Sequence, residues 1–299
     1  MIVGGHWHSA FNCSVPDPDG VDRPVISPGH HGMMFGQIEF GIDPASGDVL
    51  RDSISAHNVP VTRDVPRDQA VDAMVQHWED LAGQLWARPI GAVAGDVSAT
   101  RDDSAESALG NLVADAYRDI GEDSTRGPVQ LGLTQPYQVR TPIAYAAGTN
   151  PADADGRVLF GEAWTVQGRA SSIVTATVRG ADLRAAFEQQ WQVDASGAET
   201  FVPLSVSAGV EVVLDPTRPH GERVVSLTID GREVRDVRPY RVAMPSRLAL
   251  GMDGFDALAE NSRPDRSDMD YFAFTSWFEE QGVVPVPATD RVSSTVPLT

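Results

Sequence analysis

The first nine residues, Met1-Ile2-Val3-Gly4-Gly5-His6-Trp7-His8-Ser9, constrain this chain more than any other stretch. A short apolar run breaks at two glycines and delivers His6 and His8 into a loop, one residue apart. Neutral imidazole is the commonest protein ligand for zinc, manganese or iron, and glycine lets backbone and metal approach closely. Two imidazoles do not complete a site, because a catalytic metal takes about three protein ligands plus an open position. Partners for His6 and His8 must come from elsewhere.

Composition narrows the field. The chain has 299 residues, room for about two domains, and its 41% hydrophobic content suffices for a sizeable core. A formal charge of −19 repels phosphate backbones and anionic lipid surfaces, so neither nucleic acid nor a membrane surface is an expected partner. All 23 basic residues are arginine, so arginines at an anion site should stand out. Cys13 is the one cysteine, which excludes an intrachain disulfide and a thiolate zinc cluster. No apolar stretch approaches the roughly 18 residues of a membrane span, and no signal-peptide pattern follows Met1.

Periodicity divides the rest. Ser14 to Pro24 reads as a loop, Val25 and Ile26 as a short strand, and Pro28 to Gly32 as a turn. Ile38, Phe40 and Ile42 alternate with Gln37, Glu39 and Gly41, the period of a half-buried strand, and Asp43 to Asp48 turns the chain into a return through Val49 to Ile54. Residues 1–60 thus look like the last strands of a larger sheet. Val71, Met74, Val75, Trp78, Leu81 and Leu85 recur at helical spacing between Arg67 and Ala87, a linking helix within 61–89. A second domain, 90–299, opens near Ile90. There Asp103 is placed to cap a helix with Leu109, Leu112, Val113 and Ala116 on one face. Strands are expected at Val129 to Thr134, Ile173 to Val178, Val210 to Leu214, Val224 to Asp230 and Tyr240 to Met244, with Asp230-Gly231 as a hairpin turn. Helices are expected from Gly180 to about Trp191 and from Asp268 to Gln281. Gln135 to Arg140 and Ala147 to Asp155 read as loops, the second mobile and superficial, and the Pro-rich tail as surface chain. The mixture argues an α/β or α+β domain.

The order of motifs resembles that of the 5'-nucleotidases, a calcineurin-like metallophosphoesterase domain followed by a substrate-recognition domain. Gly4-Gly5-His6-Trp7-His8 is similar to the family's Gly-His-x-His, which closes a two-metal site, and Gly32 to Gly36 to its Gly-Lys-x-Leu-Gly-like segment. Glu106-Ser107-Ala108-Leu109-Gly110-Asn111-Leu112-Val113-Ala114-Asp115-Ala116 is the most specific match. Tyr240 to Met244 and Gly251-Met252-Asp253-Gly254-Phe255 resemble its Tyr-x-Val and Gly-Gly-Asp-Gly-Phe segments. The resemblance implies a 5'-nucleotidase C-terminal domain preceded by the last strands of a metallophosphoesterase sheet and a linking helix. It also implies a divalent metal cofactor, zinc or manganese, held in the intact enzyme partly by His6 and His8, and an extracytoplasmic or cell-wall location.

The departures are equally informative. The family's Asp-x-His, Gly-Asp and Asn-His motifs belong ahead of His6, so this chain is expected to lack most of the metal ligands and to hold no metal stably; His30, His31 and His57 match none of them. The family's Asn-Gly-Gly-Gly-x-Arg loop stands here as Gln135 to Arg140, keeping the arginine but not the glycines. The resemblance makes Arg140 and Arg101 candidates for phosphate or ribose contacts; Arg101 fits a solvated surface residue equally well. Two rings sandwich the base in the family. Phe255 retains one, and Arg169, in Gly168 to Ser171, replaces the other; Phe255 equally fits a core aromatic. Arg247 stands where the family usually has phenylalanine, and Met252 where it has glycine.

Three readings follow: the substrate-recognising part of a nucleotidase-like metallohydrolase, inactive as this chain alone; a non-catalytic module for a nucleotide or phosphorylated metabolite; or a structural relic. A partner chain or dimer completing the N-terminal sheet is expected, because missing strands leave an edge.

Overall fold

The computed structural model describes residues 1–122, 127–167, 171–259 and 265–298, in two units, Met1–Gln76 and His77–Thr299. The first unit holds β1 (Ile2–Val3), β2 (Ala10–Pro16), β3 (Asp22–Pro28), β4 (Met34–Ile42) and β5 (Val49–Pro60), and α1 (Gln69–Trp86) begins in it. β1 pairs parallel with β3, and β3 antiparallel with β2. The strand at Ala10–Pro16 corrects the reading of Ser14 to Pro24 as loop. A tight turn links β2 to β3, closed because Asp17 Oδ1 accepts the amides of Asp19 (3.0 Å) and Val21 (2.9 Å). β4 and β5 form the expected hairpin. Its apolar positions are not covered as expected, for Phe40 and Ile42 are 45% and 56% exposed, and a two-stranded ribbon supplies no layer of its own to cover them. Ile26 and Ser27 are the buried residues of the unit, and every residue of α1 is exposed, its apolar stripe included.

The second unit continues in chain order with β6 (Pro89–Val93), α2 (Ala108–Gly121), β7 (Leu131–Thr134), β8 (Arg157–Leu159), α3 (Phe160–Gln167), β9 (Ser172–Arg179), α4 (Gly180–Glu188), β10 (Trp191–Val193) and β11 (Glu199–Phe201). It goes on through β12 (Ser205–Val206), β13 (Val210–Leu214), β14 (Val224–Ile229), β15 (Arg232–Glu233), β16 (Pro239–Pro245), α5 (Ser246–Ala249), β17 (Asp265–Met269), α6 (Asp270–Gln281), β18 (Val283–Val284) and β19 (Val292–Ser294). The fold is mixed α/β, around a five-stranded sheet in the order β12-β7-β16-β9-β17.

Alternation along the central strands sends neighbours into opposite cores. Val242 and Met244 join Leu131, Val174, Val178, Leu183, Phe187, Val212, Leu227 and Phe255 on one side, where α4 and the four-stranded sheet β15-β14-β13-β19 pack. Ala243 and Ile173 join Leu109, Leu112, Val113, Tyr117, Phe274 and Phe278 from α2 and α6 on the other. Because both faces of β16 are covered, its core reads as the continuous run Val242-Ala243-Met244. Helix α2 lies hard on β7. A Cβ at Gly132 would sit 2.0 Å from the Ala114 carbonyl oxygen, so this approach requires glycine.

Two local expectations change. Ser107, not Asp103, caps α2, its Oγ accepting from Gly110 N at 3.1 Å, while Asp102 closes the preceding turn by accepting the Ser104 and Glu106 amides. The tail is not merely surface chain, since β19 pairs parallel with β13 and buries Val292. Asp230-Gly231 does turn β14 into β15.

Candidate functional site

At the start of α2 the second unit has a recess of about 330 Å³, open solvent at its mouth included. Ser107 and Gly110 form one wall, Gln135, Pro136 and Val139 a second, Pro203 and Ser205 a third, and Arg101 stands exposed at the rim. Gly110 keeps this corner open: a Cβ there would lie 2.2 Å from Ser205 Oγ. The amides of Leu109 and Gly110 in the first turn are taken by the Ser98 carbonyl (2.9 Å) and Ser107 Oγ (3.1 Å), so what the helix end brings to the recess is the partial positive charge of its dipole, and beside it the Arg101 guanidinium suits an anionic oxygen. Next to it Ala105 holds φ +62°, and the Asp102 carboxyl is kept below its ordinary range: burial raises it, but hydrogen bonds from Ser104, Thr289 and the Glu106 and Ser104 amides outweigh that.

Below the recess, Gln135 is fully buried and donates from Nε2 to Asp253 Oδ2 at 2.7 Å. The same carboxylate takes Arg247 Nε at 3.2 Å and Nη2 at 2.7 Å. Glu106, also buried, receives Asn111 Nδ2 at 2.8 Å and the Val292 amide at 2.8 Å, and burial raises its carboxyl above the ordinary range. Glu106 thus joins α2 to the C-terminal strand.

Of the residues proposed from sequence, Arg101 lines the recess, and Arg140 is exposed immediately after Val139, its amide bonded to the Val166 carbonyl at 3.0 Å. Phe255 is elsewhere. Its ring is 0% exposed inside the core with Leu248 and Leu258, so it presents no face for stacking; of its two readings, the structure realises the core aromatic. Arg169 lies outside the described residues. Ser107, Gly110, Gln135, Pro203 and Ser205 were not proposed; Ser107 carries a local signal as a capping serine, whereas Pro203 and Ser205 are brought in by the fold.

His6 and His8 belong to the first unit, with φ +70° and +57°, in an exposed loop. The His8 ring stacks on His30 at 4.8 Å, with His31 at 5.7 Å, and His30 Nδ1 lies 2.9 Å from the His8 carbonyl oxygen. Among the described residues no group of three or more His, Cys, Asp or Glu is placed to hold a metal ion. His6 and His8 by themselves therefore do not fit a two-metal centre.

The family model described as "5'-nucleotidase, C-terminal domain" matches residues 89–260. Snake venom 5'-nucleotidase from Macrovipera lebetinus is 27% identical over 300 residues, covering 90% of this chain and 71% of that one. A cell wall protein of Listeria monocytogenes is 24% identical over 294 residues, covering 94% of this chain and 35% of its own. The fold matches the crystal structure of a 5'-nucleotidase precursor from Thermus thermophilus with a TM-score of 0.58 at 23% identity, over 98% of this chain and 57% of that chain. A 5'-nucleotidase-like structure from Staphylococcus aureus gives a TM-score of 0.67 at 15% identity, over 98% of this chain and 55% of that chain. The chain therefore spans little more than half the length of these two structures. With a family model matching more than half of its residues, the chain belongs to the 5'-nucleotidase family, and residues 89–260 are its C-terminal domain.

Proposed function

We propose that this chain is the substrate-recognising part of a 5'-nucleotidase-type phosphoric ester hydrolase and takes a nucleotide or related phosphate ester at the recess beside Arg101. The observation that carries this reading is that Arg101, the amino end of α2 and the turn before Arg140 meet at one recess within the matched domain. A planar guanidinium beside the positive end of a helix dipole suits phosphate or ribose oxygens. Arg140 and Arg169 belong to the same proposal as further contacts. With the Phe255 ring in the core, recognition rests on phosphate and sugar more than on a sandwiched base.

Hydrolysis in this family class requires a divalent metal, zinc or manganese, and in this reading it needs ligands beyond His6 and His8, so the chain alone is inactive. A partner chain or a second copy pairing with the edge of β1 completes the first unit, and the venom and cell-wall relatives favour an extracytoplasmic or cell-wall setting. The buried Phe255 also favours a second reading, a non-catalytic module for a phosphorylated metabolite. Phosphate release from AMP with added Mn²⁺ or Zn²⁺ separates the two aspects. The full chain is expected to release none while giving saturable heat with AMP in calorimetry. Release above the metal-only control overturns the inactivity, and no heat at millimolar AMP leaves a structural relic.

A further inference from the structure

The turn that lines the recess also reaches into a buried polar cluster. Gln135, Pro136 and Val139 face the recess, whereas Gln138, between them, is fully buried and donates from Nε2 to Ser171 Oγ at 3.3 Å. Ser171 is tied twice to Asp270, the first residue of α6. The Asp270 amide donates to the Ser171 carbonyl at 2.7 Å, and the Ser171 amide donates to Asp270 Oδ2 at 3.2 Å. Asp270 Oδ1 accepts from the Tyr271 amide at 2.8 Å. In the same interior, Tyr117 of α2 donates to Gln167 Oε1 at 2.7 Å. Among the described residues Gln138 Oε1 and Gln167 Nε2 are buried without a hydrogen-bond partner, each a cost of about 1–3 kcal/mol, so the cluster holds polar atoms whose pairing can still change.

We propose that Asp270 is a positioning residue for the recess: its carboxylate fixes Ser171, Ser171 fixes Gln138, and Gln138 fixes the turn that presents Pro136, Val139 and Arg140 to a ligand. The proposal rests on the recess being a ligand site as read above. An ionised carboxylate only accepts hydrogen bonds, so it can hold both amides; once protonated it also donates, and its grip on one of them weakens. Burial pushes the Asp270 carboxyl up to about 6, which brings that change close to neutral pH. Among the described residues the titratable group facing it is Tyr117, held protonated by its own burial and by the Asp270 charge. Gln167 from α3 and Ser171, just ahead of β9, bring no charge.

Nuclear magnetic resonance on the full chain, without ligand, tests the linkage. Amides of residues 135–140 and the Gln138 side-chain amide are followed from about pH 5 to about pH 7.5. Ser171, Tyr271, Gln138 and Arg140 are expected to share one midpoint near 6, lost at all four in Asp270→Asn and lost at Gln138 and Arg140 in Ser171→Ala. A midpoint confined to Ser171 and Tyr271, with residues 135–140 flat in the native chain, overturns the proposal. If Asp270→Asn does not fold, Ser171→Ala decides alone: an unchanged midpoint at Gln138 and Arg140 is equally contrary. The methyl ester of AMP, a phosphodiester whose charge is constant over this range, is expected to bind several-fold more tightly at the upper pH than at the lower in the native chain. Binding that is equal at both overturns the positioning role, whereas no heat at either defeats the ligand-site reading and leaves the resonance result to stand or fall separately.

Discussion

Arg247 and Asp253 form a two-armed ion pair, Nη2 to Oδ1 at 2.7 Å and Nε to Oδ2 at 3.2 Å, and Gln135 donates to the same carboxylate. Arg247 and Gln135 are both departures from the sequence pattern this chain otherwise resembles. In the folded chain these departures meet on Asp253, a residue the pattern keeps. Arg247 brings a charge where an aromatic ring is usual, and the Asp253 carboxylate answers it. Asp253 itself sits at φ +60°, so the pair also braces a turn that few side chains adopt.

Replacing Arg247 by phenylalanine restores the usual residue type but strips Asp253 of its charged partner. Urea denaturation should show a loss of about 1–3 kcal/mol, since a part-buried, hydrogen-bonded carboxylate loses both arms of its guanidinium partner. Unchanged stability would mean that the pair behaves like an ordinary surface salt bridge.

Two glycines should respond differently to alanine. At Gly132 the added Cβ meets backbone, 2.0 Å from the Ala114 oxygen, so α2 must lift from β7 and the loss should exceed about 3 kcal/mol. At Gly110 it meets the Ser205 hydroxyl at 2.2 Å, a side chain that can turn away into the recess. Gly110→Ala should therefore keep the fold, checked by thermal denaturation, and weaken AMP binding by about tenfold or more, a loss of about 1.4 kcal/mol.

Asp270 gives stability a pH dependence of definite sign. Its folded value, about 6, stands above the ordinary 3.8, so between these values the folded chain binds more protons than the unfolded one. Stability from this group is present at low pH and is lost as pH rises from about 4 to about 6. Comparing the native chain with Asp270→Asn by urea denaturation isolates it: the difference should shift by roughly 2–3 kcal/mol across that window and then level off. A difference that stays constant with pH would show that the carboxyl titrates normally.

Removing the Tyr117 hydroxyl tests the buried cluster from its other end. Tyr117→Phe leaves Gln167 Oε1 without its donor in a site closed to solvent, where Gln167 Nε2 already lacks a partner among the described residues. A loss of about 1–3 kcal/mol is expected in thermal or urea unfolding, and none would mean that water replaces the hydroxyl.

Much of this architecture is legible in the sequence because its signals are periodic. The stripe of Leu109, Leu112, Val113 and Ala116 becomes the buried face of α2, and Tyr240 to Met244 becomes the central strand. What escapes is short or non-local. Ser14 to Pro16 read as the start of a loop because Pro16 and Pro18 interrupt the chain there, yet they end β2, whose pairing with β3 overrides that. β10, β11 and β15 are two or three residues long, too short for any period to register. The recess is half legible: in a chain without lysine, Arg101 and Arg140 announce themselves by charge, but Ser205 reaches the site only through the pairing of β12 with β7. Phe255 illustrates the converse, since an aromatic after Asp-Gly fits a ligand clamp and a core plug equally well, and only packing distinguishes them.

The central claim is that the recess beside Arg101 binds a phosphate ester. Its most direct test is calorimetric titration of AMP into the full chain and into Arg101→Ala and Arg140→Ala, two exposed positions where truncation should leave the fold intact. Saturable heat in the native chain, with affinity reduced about tenfold or more in each variant, is the expected result, equivalent to about 1.4 kcal/mol per arginine. No heat at millimolar AMP, or an affinity that neither substitution changes, would contradict it.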